Sequence, residues 1–184
     1  MRGISKEKKI KRAGGWGYHY SDEGSGYWIG VKALSYALLY SDGCHEYAPL
    51  FEAVKDHFNL ESLEELPYAI TEVTDFDKIA DIAKLVVSEA EKQEKLSLGI
   101  LKEGALRLAE ITCALWKKLH FEKEEAVTIV FSGGVLRKQV YNKLLEESIS
   151  RLINPDNNRN FNFVLNDHMP VKGGIELAKQ FIND

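Results

Sequence analysis

Cysteine is scarce in this sequence. The two present, Cys44 and Cys113, stand far apart and in no metal-ligand spacing, so neither a disulfide scaffold nor a cysteine-held metal centre is expected. Long apolar runs are also missing. No stretch reaches the roughly 20 residues that a membrane-spanning helix needs, and Met1-Arg2-Gly3-Ile4-Ser5 carries no apolar signal segment. Positive charge is not in excess: 24 Lys and Arg stand against 28 Asp and Glu, a net charge of −4 over 184 residues. A nucleic-acid surface, which must neutralise phosphates with cations, is therefore not expected. The one basic cluster, Lys6, Lys8, Lys9, Lys11 and Arg12, reads as a charged edge strand or terminus that resists pairing with other sheets. These absences leave a soluble, cytoplasmic globular chain of ordinary composition, long enough for one domain or for one lobe of something larger.

The chain has no internal repeat, and its patterning is helical through the middle. Lys8 to Ala13 suits a short strand, followed by Gly14-Gly15-Trp16-Gly17. Trp28, Val31, Leu34 and Leu38 predict a helix from about Ser25 to Tyr40, stopped by Ser41-Asp42-Gly43. A second helix is expected over Glu46 to Phe58, with Pro49 in its first turn, where proline is tolerated. Leu60 to Thr74 is mixed and interrupted by Pro67. Asp75 or Asp77 is a plausible N-cap for a helix through Ala90, with Ile79, Ile82, Ala83 and Val86 inward. Leu98, Leu101, Ala105, Leu108, Ile111, Leu115 and Leu119 define a central packing helix.

The pattern changes at Ala126. Val127 to Phe131 is a β-branched, apolar run expected to form a strand buried on both faces. Ser132-Gly133-Gly134 then punctuates the chain before a helix from about Leu136 to Leu152. Phe161 to Leu165 suits a second strand, and Lys172-Gly173-Gly174 leads into a last helix through Phe181. Strand, Gly turn and helix occur twice, which predicts an α/β arrangement with a parallel pair. Ligands of open α/β sheets collect at the carboxyl ends of strands, where glycines admit a close approach and helix N–H groups attract anions. Each Gly turn fits either a phosphate site or a tight turn without ligand, and neither matches the P-loop pattern.

The most informative stretch runs from Gly14 to Gly30. It holds six glycines, two tryptophans and the acid pair Asp22-Glu23 within seventeen residues. Such chemistry suits a sugar: an aromatic supplies an apolar face, and a carboxylate accepts hydrogen bonds from hydroxyls. A Gly-rich turn whose acids cap the next helix fits equally well. His19 in this stretch reads as a packing or surface residue, and His45, His57, His120 and His168 form no triad or metal spacing.

This stretch resembles the signature of the N-acetylglucosamine kinases and the related BadF/BadG/BcrA/BcrD-type ATPases, of the sugar kinase, actin and heat-shock chaperone superfamily. The similarity runs on through Asp77 to Ala80, the long helix, Ser132-Gly133-Gly134-Val135 and Gly173-Gly174. The resemblance implies that Gly15, Trp16, Gly17 and Asp22 bind an amino sugar. It implies that Ala80, Gly133, Gly134, Lys172 and Gly173 lie around the nucleotide, with ATP and Mg2+ serving the reaction. Ser21 stands where many relatives have glycine, so a different backbone angle is expected before Asp22.

The implied fold is the α/β, ribonuclease-H-like C-terminal lobe of an actin-like ATPase. Residues 1–24 would form the sugar-site segment, 25–120 a helical insertion, and 121–184 the nucleotide side. Relatives carry a Gly-rich hairpin, a catalytic Asp and a Gly-Thr-Gly loop in segments this sequence does not contain. The sheet is therefore expected to be incomplete, no catalytic base or metal ligand is assigned here, and the chain alone is expected to be inactive. The alternatives are a module that binds nucleotide or sugar or docks on a separate N-terminal lobe, a homodimer covering its open edge, or an iron–sulfur activator ATPase of acyl-CoA reductases or dehydratases.

Overall fold

The computed structural model describes residues 1–5, 7–71, 76–121, 126–153 and 161–166. Among them the chain forms six α-helices and two two-stranded sheets. It opens on a hairpin in which β1 (Arg2–Ile4) pairs antiparallel with β2 (Ile10–Arg12), Gly3 opposite Lys11. The basic stretch supplies β2, and its side chains stay in water, as a charged edge requires.

Five helices follow. α1 (Gly26–Ser41) begins where the Ser25 hydroxyl accepts from the Trp28 N–H at 3.1 Å, satisfying one of the first-turn donors that no helical carbonyl can reach. α2 (Pro49–His57) starts at the proline itself, whose missing N–H costs nothing there. A 3₁₀ turn at Leu63–Glu65, closed by reciprocal Ser62 and Glu65 bonds, leads into α3 (Leu66–Thr71) with Pro67 at its second position. α4 (Phe76–Glu91) buries Ile79, Ile82, Ala83 and Val86 as their spacing predicts. Asp77 lies inside its first turn and Asp75 falls outside the described residues. α5 (Lys95–Leu119) is the central packing helix, capped by Glu94, whose carboxylate accepts from Leu96 and Ser97 N–H at 2.8 and 2.7 Å.

The buried face of α1 differs from the expected one. Ile29, Gly30, Ala33, Leu34 and Ala37 face the core, while Val31 is exposed and Trp28 and Leu38 are half-buried. The reason is the close approach of α4. A Cβ at Gly30 would overlap the carbonyl oxygen of Ile79, so the contact line takes small residues and the bulky ones sit beside it.

β3 (Val127–Phe131) and β4 (Phe161–Leu165) pair in parallel, Ile129 opposite Phe163. This is the expected parallel pair, but the expectation that β3 is buried on both faces is wrong. Val127, Ile129 and Phe131 turn inward, while Thr128 and Val130 face solvent, Val130 being 58% exposed. A continuous apolar run normally signals cover on both faces; among the described residues nothing covers the second. α6 (Gln139–Ile153) packs on α5 through Tyr141, Leu145 and Ile149, one turn apart. The helix expected after Gly174 falls outside the described residues. No helix among those described is long and apolar enough to cross a membrane.

Candidate functional site

A cavity of about 740 Å3 opens between β1, α5 and β3, within the size range of small-molecule sites. One end is polar. Gly15, Asp22, Glu23 and Gly26 meet Gly133 and Gly134 there, so residues 118 positions apart in sequence (15 to 133) border one space. The rest is apolar, floored by Leu108, Ile111, Leu115 and Leu119 of α5.

The Gly-rich loop is held by its own short-range bonds. The Tyr20 and Ser21 N–H groups both donate to the Gly17 carbonyl, at 3.0 and 2.9 Å, and Trp16 N–H donates to Ser21 O at 3.2 Å. The segment around His19 is therefore a tight turn closed by a Gly17–Ser21 bridge. Gly17 has φ +109°, open to glycine alone. Arg12 fastens the loop from outside: its Nε donates to Gly14 O at 3.2 Å, its Nη2 donates to Gly15 O, and its guanidinium stacks 4.4 Å from the Trp16 ring centroid. His19 lies exposed, its ring 4.0 Å from that of Tyr18.

Asp22 is positioned by the helix that follows it. Ser25 Oγ donates to Asp22 Oδ2 at 2.6 Å, and Ser25 N–H donates to the Asp22 carbonyl at 3.1 Å. The serine that caps α1 thus also orients the acid. Oδ1 accepts no hydrogen bond from the described residues, and Asp22 borders the cavity. Glu23 is tied through Oε2 to the Ser21 hydroxyl at 2.8 Å. Ser21 is not among the residues with left-handed backbone, so serine sits there without strain.

The second turn differs from its sequence reading. Gly133 has φ +138°, and a Cβ at Gly133 or Gly134 would meet open space. The helix does not follow directly: a 3₁₀ turn at Val135–Arg137 intervenes, Lys138 is extended, and α6 begins at Gln139. The N–H groups beside Gly133 and Gly134 thus belong to the turn rather than to α6.

The structure brings together Gly15, Asp22, Gly133 and Gly134, and leaves other expected site residues elsewhere. Trp16, 65% exposed, faces a separate shallower hollow with Trp28, Lys32 and Glu103. Gly17 borders neither hollow. Ala80 stands one layer back: its carbonyl and Cβ lie 3.4 and 3.6 Å from where a Cβ on Gly26 would be, and Gly26 lines the cavity. Lys172 and Gly173 fall outside the described residues.

Sequence reasoning missed Tyr141. It is fully buried, and its hydroxyl donates to the Gly24 carbonyl at 2.8 Å. Burial also pushes its ionisation well above the ordinary phenol range. The available signal was a tyrosine in register with Leu145 and Ile149, since a hydroxyl on a core stripe needs a partner. Among the described residues no three His, Cys, Asp or Glu side chains gather as a metal cage; Cys44 is exposed and Cys113 half-buried, both as free thiols.

The helical layer and the parallel β3–β4 pair make this a mixed α/β chain. Residues 2–162 match the BadF/BadG/BcrA/BcrD ATPase family, and the chain belongs to it. Over 150 residues it is 31% identical to an N-acetyl-D-glucosamine kinase of Dictyostelium discoideum, covering 80% of this chain and 47% of that protein. Over 140 residues it is 34% identical to an N-acetylmuramic acid/N-acetylglucosamine kinase of Clostridium acetobutylicum, covering 76% and 45% respectively. A crystal structure of a candidate N-acetylglucosamine kinase from Chromobacterium violaceum superposes with a TM-score of 0.63 at 25% identity, covering 83% of this chain and 50% of that one. The chain therefore spans about half the length of the relatives it matches.

Proposed function

We propose that this chain supplies the C-terminal, ribonuclease-H-like part of an ATP-dependent amino-sugar kinase that phosphorylates N-acetylglucosamine. The observation that carries this reading is the shared polar end of the cavity, where Asp22 and the Gly133-Gly134 turn border one space. A phosphoryl donor and a sugar hydroxyl have to meet in one place, because this chemistry is mainly positioning and charge stabilisation. The activities named for the two kinases that the chain resembles, on N-acetylglucosamine and N-acetylmuramic acid, point the same way.

In this reading residues 1–24 hold the sugar, 25–120 form the helical support, and 121–184 serve the nucleotide. Asp22 Oδ1 accepts a sugar hydroxyl and Gly15 admits the ring, whereas Trp16 and Gly17 lie outside this cavity. Gly133 and Gly134 take the nucleotide, Ala80 acts through Gly26, and Lys172 and Gly173 join from the C-terminal turn. Mg2+ is commonly held by one or two carboxylates together with substrate phosphates, and no residue of this chain is assigned to it. The metal would neutralise charge on the transferring phosphoryl group. The base that takes the hydroxyl proton comes from another lobe, which docks on this one in the cytoplasm.

A coupled assay for ADP release with ATP and N-acetylglucosamine tests this. The chain alone is expected to give no sugar phosphate, and calorimetry is expected to show weak binding of ADP and of the sugar. Turnover by the chain alone would overturn the assignment of the base to another lobe. Silence toward both ligands would remove the binding roles of Asp22 and Gly133.

A further inference from the structure

The apolar body of the large cavity is lined by the backbone of two separate strands. It is bordered along one side by the whole of β1 and along the other by the whole of β3, with α5 as its floor. Among the described residues β1 pairs with β2 alone and β3 with β4 alone, so each turns an open edge to the cavity. The bonds already made identify the groups on those edges. Met1 and Ala13 exchange N–H···O bonds at 2.8 and 3.2 Å, and Ser5 N–H donates to Lys9 O at 3.0 Å. By antiparallel alternation Gly3 also faces β2, and Arg2 and Ile4 point their N–H and C=O groups the other way. In the parallel pair Asn166 N–H donates to Phe131 O at 2.8 Å, so Val127, Ile129 and Phe131 bond β4, and Thr128 and Val130 turn theirs outward.

We infer that this slot receives one extended strand from the part of the kinase that this chain does not span, joining the two small sheets into one. The strand would take Arg2 and Ile4 on one edge and Thr128 and Val130 on the other. Its inward side chains would be apolar, to lie on Ile111, Leu115 and Leu119, and its far end would reach the polar mouth at Asp22 and Gly133. An extended segment adds to an exposed sheet edge through main-chain hydrogen bonds, and two open edges lining one space can bond the same strand from both sides. The matched kinases carry about as much chain again outside the match, being covered over 47% and 45% of their length. The inference rests on the kinase reading for the identity of the partner, while the slot itself rests on the backbone geometry.

The test uses the full chain and, as probe, the segment of the Clostridium acetobutylicum relative that lies outside the match. Amide hydrogen exchange at Arg2, Ile4, Thr128 and Val130 is expected to be fast in the chain alone and at least an order of magnitude slower in the mixture. Ile4→Pro and Val130→Pro each delete an N–H that faces the slot and leave the existing ladders intact. Both are expected to melt near the wild-type temperature and to lose the complex, whereas Ile129→Pro should unfold the chain itself. Edges already protected in the chain alone, no association in sedimentation, or proline variants that assemble like wild type would each overturn the slot. Assembly that depends on both edges but yields no sugar phosphate would keep the slot and sink the kinase reading. Turnover by a pair indifferent to the prolines would do the reverse.

Discussion

Tyr141 on α6 holds the backbone of Gly24, two residues past Asp22, through a 2.8 Å hydrogen bond from its phenol to the Gly24 carbonyl. α5 leaves room for this contact at Gly104, where a Cβ would fall 2.8 Å from the phenol oxygen and 3.3 Å from Gly24 Cα. The acid-bearing loop is thereby tied to the helix that follows the Gly133-Gly134 turn. Tyr141→Phe keeps the ring and strands the buried carbonyl, which is expected to lower unfolding stability by about 1–3 kcal/mol in urea titrations. The same substitution should weaken sugar binding to the chain more than a surface change of equal stability cost.

The same tyrosine sets a pH dependence. Its folded-state ionisation is raised by burial, whereas the unfolded chain ionises near an ordinary value of about 10. Above that pH the unfolded state sheds a proton that the folded state keeps, so stability falls as pH rises. Thermal melts from pH 8 to 11 are expected to show a steeper alkaline loss for wild type than for Tyr141→Phe. Parallel curves would contradict the buried phenol.

Gly30→Ala places a methyl group against the Ile79 carbonyl, where α1 and α4 touch. Backbone meets backbone there and cannot give cheaply, so a loss of about 3 kcal/mol or more is expected. Gly43→Ala makes the contrast. Gly43 has φ +75° but open space around it, and its cost should stay near 1–2 kcal/mol.

Ser25→Ala removes both the α1 cap and the donor to Asp22 Oδ2. Stability is expected to drop by about 1 kcal/mol. Asp22→Asn should leave the melting temperature close to wild type and abolish sugar binding. Measured side by side, the two separate the acid's role in the fold from its role toward a ligand.

The elements with strong periodicity were legible in the sequence. α4 and α5 follow their apolar spacing, the Ser25 start of α1 follows from cap chemistry, and the parallel β3–β4 pair follows from the repeated strand and Gly turn. Three features were not legible. The buried stripe of α1 is set by how near α4 comes to Gly30, a distance that no single helix encodes. The open face of Thr128 and Val130 depends on what neighbours β3, and composition cannot report that. The 3₁₀ turn at Val135–Arg137 interrupts a pattern that reads as one continuous helix. At the site, Asp22 and Gly133 were marked by residue type, but their meeting at one cavity is tertiary. Tyr141 carried no motif at all.

The shared cavity is tested most directly by two-dimensional NMR of the full chain titrated separately with N-acetylglucosamine and with ADP. The sugar is expected to shift the amides from Gly15 to Ser25, and ADP those of Ser132 to Gly134, with both sets bordering the same polar mouth. Shifts confined to other surfaces, or no shift with either ligand at millimolar concentration, would contradict a kinase site on this chain.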